Sequence, residues 1–98
     1  DKIHVVPVSD IIRCESQVNY TQIHLRDDSK IMVAKTLKEY DNLLSEQGFI
    51  RVHQSHLIRK NAIRTFIKNK QVVLLSDGSE IPVSTRKKSH LLQYLSKQ

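Results

Sequence analysis

A single cysteine, Cys14, excludes an internal disulfide and any zinc site built on cysteine pairs. It sits in SDIIRCES, an apolar, strand-like run, and reads as a packed structural thiol, so a reducing, cytoplasmic compartment is expected. Tryptophan is absent and aromatics are 5% of the chain, which leaves Ile, Leu and Val to build the core. With only two glycines there is no glycine-rich loop to cradle a phosphate, and both have ordinary roles, Gly48 at a helix end and Gly78 in a turn. No apolar run approaches the roughly 20 residues of a membrane span, and no basic stretch leads into an apolar one as in a signal peptide. The sequence opens at Asp1 without a methionine, so a domain of a longer protein is expected.

Acids are scarce in one half. Residues 1–50 hold six Lys/Arg and eight Asp/Glu, whereas residues 51–98 hold ten Lys/Arg and two Asp/Glu. The net charge of +6 therefore comes from the second half, and such asymmetry suggests a surface that meets a polyanion. At 98 residues, 39% hydrophobic and 27% charged, the chain suits one globular domain.

Alternation and turn residues give a mostly β pattern. KIHVVPV (Lys2 to Val8) reads as a strand ending near Pro7, and DIIRCES as a second. YTQIHL alternates, with Thr21, Ile23 and Leu25 on one face, and pairs with KIMVAK across Asp27-Asp28-Ser29. TLKEYDNLLSEQG predicts a helix: Thr36 and Glu39 form a capping box, Leu37, Tyr40, Leu43 and Leu44 share a face, and Gly48 ends it. FIRVH is a strand, and QSHLIRKN is expected to be irregular or a single helical turn. AIRTFIK, QVVLLS and EIPVS are strands joined at Lys68-Asn69-Lys70 and Asp77-Gly78. TRKKSHLLQYLSKQ predicts a short final helix with Leu91, Leu92 and Leu95 on one face. Its first turn carries Arg86, Lys87 and Lys88 against the macrodipole's preference for acids, a hint that these cations serve something outside the fold.

Several chemistries are weakly supported. His53 and His56 form H-x-x-H, but across a strand end and a loop, with no further ligand at zinc spacing, so no metal is expected. Ser55 lies between the two histidines without a G-x-S-x-G elbow or an oxyanion hole, and no cofactor or enzymatic activity is expected. Residues 51–70 hold six Lys/Arg and no acid, which suits nucleic acid. Aromatics interleaved with basic residues, the mark of stacking platforms, are lacking, so duplex DNA is favoured over single strands. The alternative is a non-enzymatic module whose basic face binds an acidic protein partner.

FIRVHQSHLI, AI and DGSEIPVS, together with DIIRCESQVNYTQIHL and TLKEYDNLL upstream, resemble the LytTR DNA-binding domain over almost the whole chain. The resemblance implies a mostly β fold, an elongated stack of small antiparallel sheets with two short helices. It implies an output domain of bacterial two-component response regulators, with a receiver domain and sensor kinase upstream. Loops at one edge would enter successive major grooves of double-stranded DNA at paired direct repeats near promoters, with dimerisation on DNA left open. Carried over residue by residue, the bases are read by Asn19, Gln54 and Arg86, with Arg86 bidentate to guanine and Gln54 pairing with adenine. Ser55, Ser84, Lys60, Lys87 and Arg51 are phosphate donors, and Gln54, Ser55, Arg59 and Lys60 share a loop aimed at DNA. Three residues have a second reading: Ser55 as a turn residue bonded to its own backbone, Asn19 as a turn residue with positive φ, and Arg86 as a merely solvated cation. His53 is expected to be packed and hydrogen-bonded inside the domain. Gln54, His56 and Arg59 stand where the family has a frequent Arg, an aromatic and a common Asn, which bears on base preference.

Overall fold

Eight strands and two helices order the chain: β1 (Ile11–Ser16), β2 (Thr21–Leu25), β3 (Lys30–Val33), α1 (Leu37–Leu44), β4 (Phe49–His53), β5 (His56–Arg59), β6 (Ile63–Ile67), β7 (Val72–Leu75), β8 (Glu80–Pro82) and α2 (Thr85–Leu95). The computed structural model describes residues 2–98. Strands pair antiparallel throughout, in a five-stranded sheet of order β3-β2-β1-β5-β4 and a three-stranded sheet of order β6-β7-β8. The molecule is elongated, 44 × 24 × 23 Å.

The five-stranded sheet is covered on both faces. On one side α1 packs with Ile11, Cys14, Ile23, Leu37, Leu44, Phe49 and Leu57. On the other, Ile12, Ile50, Val52 and Ile58 meet Val73, Leu75, Ile81, Val83 and Leu91 from the small sheet, α2 and the link between them. A bulge between Ile11 and Arg13 places Ile11 and Cys14, three residues apart, in the same cluster. Cys14 is fully buried, and burial pushes its thiol up to about 12, so it stays protonated and inert.

The capping box at α1 forms as expected: the Thr36 N–H donates to Glu39 Oε2 (2.7 Å) and the Glu39 N–H to Thr36 Oγ1 (3.2 Å). Gly48 then turns the chain at φ 88°, a left-handed conformation that a side chain would disfavour by about 1 kcal/mol. Leu43 departs from the expected helical face and is 55% exposed. In α2, Leu91 is buried and Leu95 packs against the core, while Leu92 lies at the surface.

Two larger expectations are corrected. The Lys2–Val8 segment is not a strand: no ladder forms, and Val8–Asp10 is a 3₁₀ turn that redirects the chain into β1. Val6 and Val8 still pack against the α1-side cluster, so these apolar residues contribute to the core without sheet pairing. QSHLIRKN is not irregular throughout, because His56–Arg59 is β5, held between β1 and β4. Buried on both faces, β5 lacks the alternation that marks a half-buried strand; Leu57 and Ile58 enter opposite clusters and are both fully buried.

Candidate nucleic-acid interface

Three loops meet at one edge, and backbone hydrogen bonds tie them together. The Ser16 N–H donates to the Ser55 carbonyl (2.9 Å), joining the β1–β2 loop to the β4–β5 turn. The Ser84 N–H donates to the Val52 carbonyl (2.9 Å), joining the start of α2 to β4. Arg51, His53, Gln54, Ser84, Arg86 and Lys87 consequently surround one depression. Asn19 sits exposed at the tip of the first loop, which closes through Gln17 N–H to Tyr20 carbonyl (2.8 Å).

At α2 the Ser84 hydroxyl caps the helix by accepting from the Lys87 N–H (3.2 Å). Its first turn contains no acid and carries the exposed Arg86 beside Lys87. Free backbone N–H groups, the positive end of the macrodipole and two cations therefore coincide, an arrangement that attracts anionic oxygen.

Within the β4–β5 turn the Gln54 side chain is exposed while its backbone is held. Arg51 donates through Nε to the His53 carbonyl (3.0 Å) and through Nη2 to the Gln54 carbonyl (2.5 Å). The Ser55 N–H donates to His53 Nδ1 (3.0 Å), so it is the Ser55 backbone that ties the turn together. His53 is thus hydrogen-bonded within the domain, its ring centroid 5.4 Å from that of His56. Burial lowers the His56 pKa to about 4, outweighing the opposing pull of Glu15, and His56 Nδ1 is buried without a partner. Burial opposes ionisation of Glu15 too, but the hydrogen bond and charge of Arg13, followed by His56 and His24, hold its carboxyl below the usual range. Among the described residues no cluster of three or more His, Cys, Asp or Glu could hold a metal.

Arg59 and Lys60 do not join this edge. Lys60 N–H donates to the Gly48 carbonyl (2.8 Å), which marks the opposite end of the hairpin, and five residues of strand place Arg59 about 16 Å from Gln54. The Arg59 guanidinium is turned inward: Nε donates to the Ile11 carbonyl (2.8 Å), Nη2 to the Val8 carbonyl, and its Cζ lies 4.6 Å from the Phe49 ring centre. It is a core cation that fastens the N-terminal segment to the sheet. Lys60 lies over Tyr94, with Nζ 5.1 Å from the ring centre. Asn19 is not left-handed; among described non-glycine residues positive φ occurs at Asp28 and Gln71.

The structure also adds residues to the edge. Gln71 bridges to Val83 through its side chain (Nε2 to the Val83 carbonyl, 2.8 Å) and its backbone (Val83 N–H to the Gln71 carbonyl, 3.0 Å). The Lys68-Asn69-Lys70 turn is thereby brought beside Ser84 and the start of α2. In the sequence those lysines mark a turn and belong to the acid-free basic stretch 51–70; their placement near α2 depends on a pairing 12 residues apart in sequence.

Residues 1–96 match the family model for the LytTr DNA-binding domain. The chain belongs to the LytTR family of DNA-binding domains. This LytTR domain is 28% identical over 99 residues to the transcriptional regulatory protein YpdB of Escherichia coli K12, and equally so to YpdB of Shigella flexneri. Each alignment covers 97% of the chain and 40% of the relative, so the LytTR domain spans well under half the length of these curated proteins. Among solved structures it is similar to the LytTr DNA-binding domain of a protein described as a methyl-accepting/DNA response regulator from Bacillus cereus. The TM-score is 0.81 at 24% identity, over 92% of this chain and 84% of the other, a likeness of fold. The mostly β architecture of stacked antiparallel sheets with two short helices agrees with it. Among the described residues no helix is long and apolar enough to cross a membrane.

Proposed function

We propose that this LytTR domain is the DNA-reading part of a transcriptional response regulator and binds duplex DNA through the edge described above. The observation that carries the proposal is the convergence of Gln54, Ser84, Arg86 and Lys87 on one depression, by hydrogen bonds between loops distant in sequence. In this reading Arg86 pairs with guanine O6/N7, Gln54 with adenine N6/N7, and Asn19 reads from the neighbouring loop. Ser55, Ser84 and Lys87 hold phosphates, joined by Lys68 and Lys70. Arg59 and Lys60 are left out of the set because the structure gives them other work.

The loops would enter successive major grooves, and the target would be paired direct repeats, occupied by two copies of the domain. A receiver domain and a sensor kinase upstream belong to the same proposal, supported by the family resemblance and by relatives much longer than this chain. Selection of bound duplexes from a random pool tests it. Enrichment of paired repeats at a fixed spacing is expected. Salt-dependent binding to every polyanion with no enriched sequence would refute it and favour an acidic protein partner instead.

A further inference from the structure

We infer that Arg51 and Asp41 are a positioning pair that sets the base selectivity of Gln54 and takes no part in holding phosphate. The inference rests on the proposed DNA-reading role of this edge. Arg51 borders the depression and, as a cation there, resembles a phosphate contact. Its guanidinium is nevertheless committed inward, to the His53 and Gln54 carbonyls and, through Nη1, to Asp41 Oδ2 at 3.5 Å. The two side chains are 20% and 29% exposed. A guanidinium is planar with donors in a fixed fork, so three acceptors around it are fixed relative to one another.

One of those acceptors is the backbone of the residue proposed to read a base. Bidentate pairing of an amide with adenine requires the Gln54 Cα to sit at one place and angle. A two-residue turn at a hairpin end has few other restraints, and here they are the Arg51 bonds, the Ser55 N–H to His53 Nδ1 bond and the Ser16 link to Ser55. Asp41 supplies the anchor from outside the hairpin. It lies on α1, whose position is set by buried Leu37 and Leu44, and it is not among the residues around the depression.

The charges give the test opposite signs. If Arg51 held a phosphate, Arg51→Gln would weaken binding to all sequences alike and lower the salt slope by about one. If only net charge mattered, Asp41→Asn would tighten binding to any duplex. A positioning pair instead predicts that both variants lose discrimination while the salt slope stays put. The experiment measures binding of the wild type, Gln54→Ala, Arg51→Gln and Asp41→Asn to a selected duplex and to single-base-pair variants of it, at two salt concentrations, with folding checked by circular dichroism.

Gln54→Ala identifies the base pair that Gln54 reads. At that pair, Arg51→Gln and Asp41→Asn should each narrow the preference by about fivefold or more and leave other positions unchanged. Should Arg51→Gln unfold, Asp41→Asn alone decides. Undiminished preference in the folded variants, or a Gln54→Ala protein that keeps full preference everywhere, overturns the inference alone. A wild type with no sequence preference overturns the DNA-reading proposal and the inference together.

Discussion

Replacing Arg59 with methionine separates a core cation from a DNA contact. The substitution keeps an unbranched apolar stem over Phe49 and removes the guanidinium. Lost with it are two charge-assisted hydrogen bonds, to the Ile11 and Val8 carbonyls, and the stacking on Phe49 at 4.6 Å. Hydrogen bonds to charged groups contribute about 1.5–3 kcal/mol each, and a cation over an aromatic face about 0.5–2 kcal/mol. Desolvation of the guanidinium, which methionine avoids, offsets part of this. A net loss of about 2–4 kcal/mol is expected, a large share of the roughly 5–15 kcal/mol that holds an ordinary domain together. At about 4–8 °C per kcal/mol for a domain of this size, Tm should fall by about 8–32 °C. The chain has no tryptophan, so urea and thermal unfolding are best followed by far-ultraviolet circular dichroism. At a temperature where the variant is folded, its affinity for the selected duplex and its salt slope should match the wild type. Unchanged stability with a salt slope smaller by about one would refute the placement of Arg59 and restore it to the DNA-binding face.

Three further outcomes are expected. Arg86→Ala should cost about 1–3 kcal/mol against the duplex carrying its guanine, and little against a scrambled one; equal losses in a binding titration would make Arg86 a phosphate contact only. The Lys68→Ala, Lys70→Ala double variant should weaken binding to all sequences and lower the salt slope by about two, measured by titration across a salt series. His56 should make the domain acid-sensitive. Its pKa is lowered from 6.5 to about 4, so the unfolded chain takes up the proton first, and stability present above pH 6.5 is lost as pH falls through 4. In His56→Phe the fall in Tm between pH 7 and pH 4.5 should be smaller than in the wild type; an equal fall would place the acid sensitivity in the carboxylates.

Local chemistry announced most elements. Thr36 and Glu39 marked the start of α1, Gly48 the end of the 3₁₀ turn (Ser45–Gln47) that continues it, and Asp77-Gly78 the β7–β8 turn, because caps and tight turns are decided within a few residues. Lys2–Val8 carries a strand's composition but no strand beside it, and composition cannot report a missing neighbour. At β5 the reverse holds: a strand central to the sheet shows a plain apolar run, and what makes it a strand is the pairing with β1 and β4.

The same division runs through the candidate site. The motifs around Gln54 and Arg86 were legible because the family pattern preserves order and spacing along the chain. Arg59 was misplaced for an equally physical reason: a charged residue near a basic loop reads as exposed until the carbonyls of Val8 and Ile11, some 50 residues away in sequence, are seen to accept from it. From the sequence alone came the family, the mostly β class, both helices and the surplus of cations in the second half. Which of those cations face outward together, which one is consumed by the core, and how Arg51 holds the turn that presents Gln54 were decided only by tertiary structure. These depend on hydrogen bonds and ion pairs between residues that only the folded chain brings into contact.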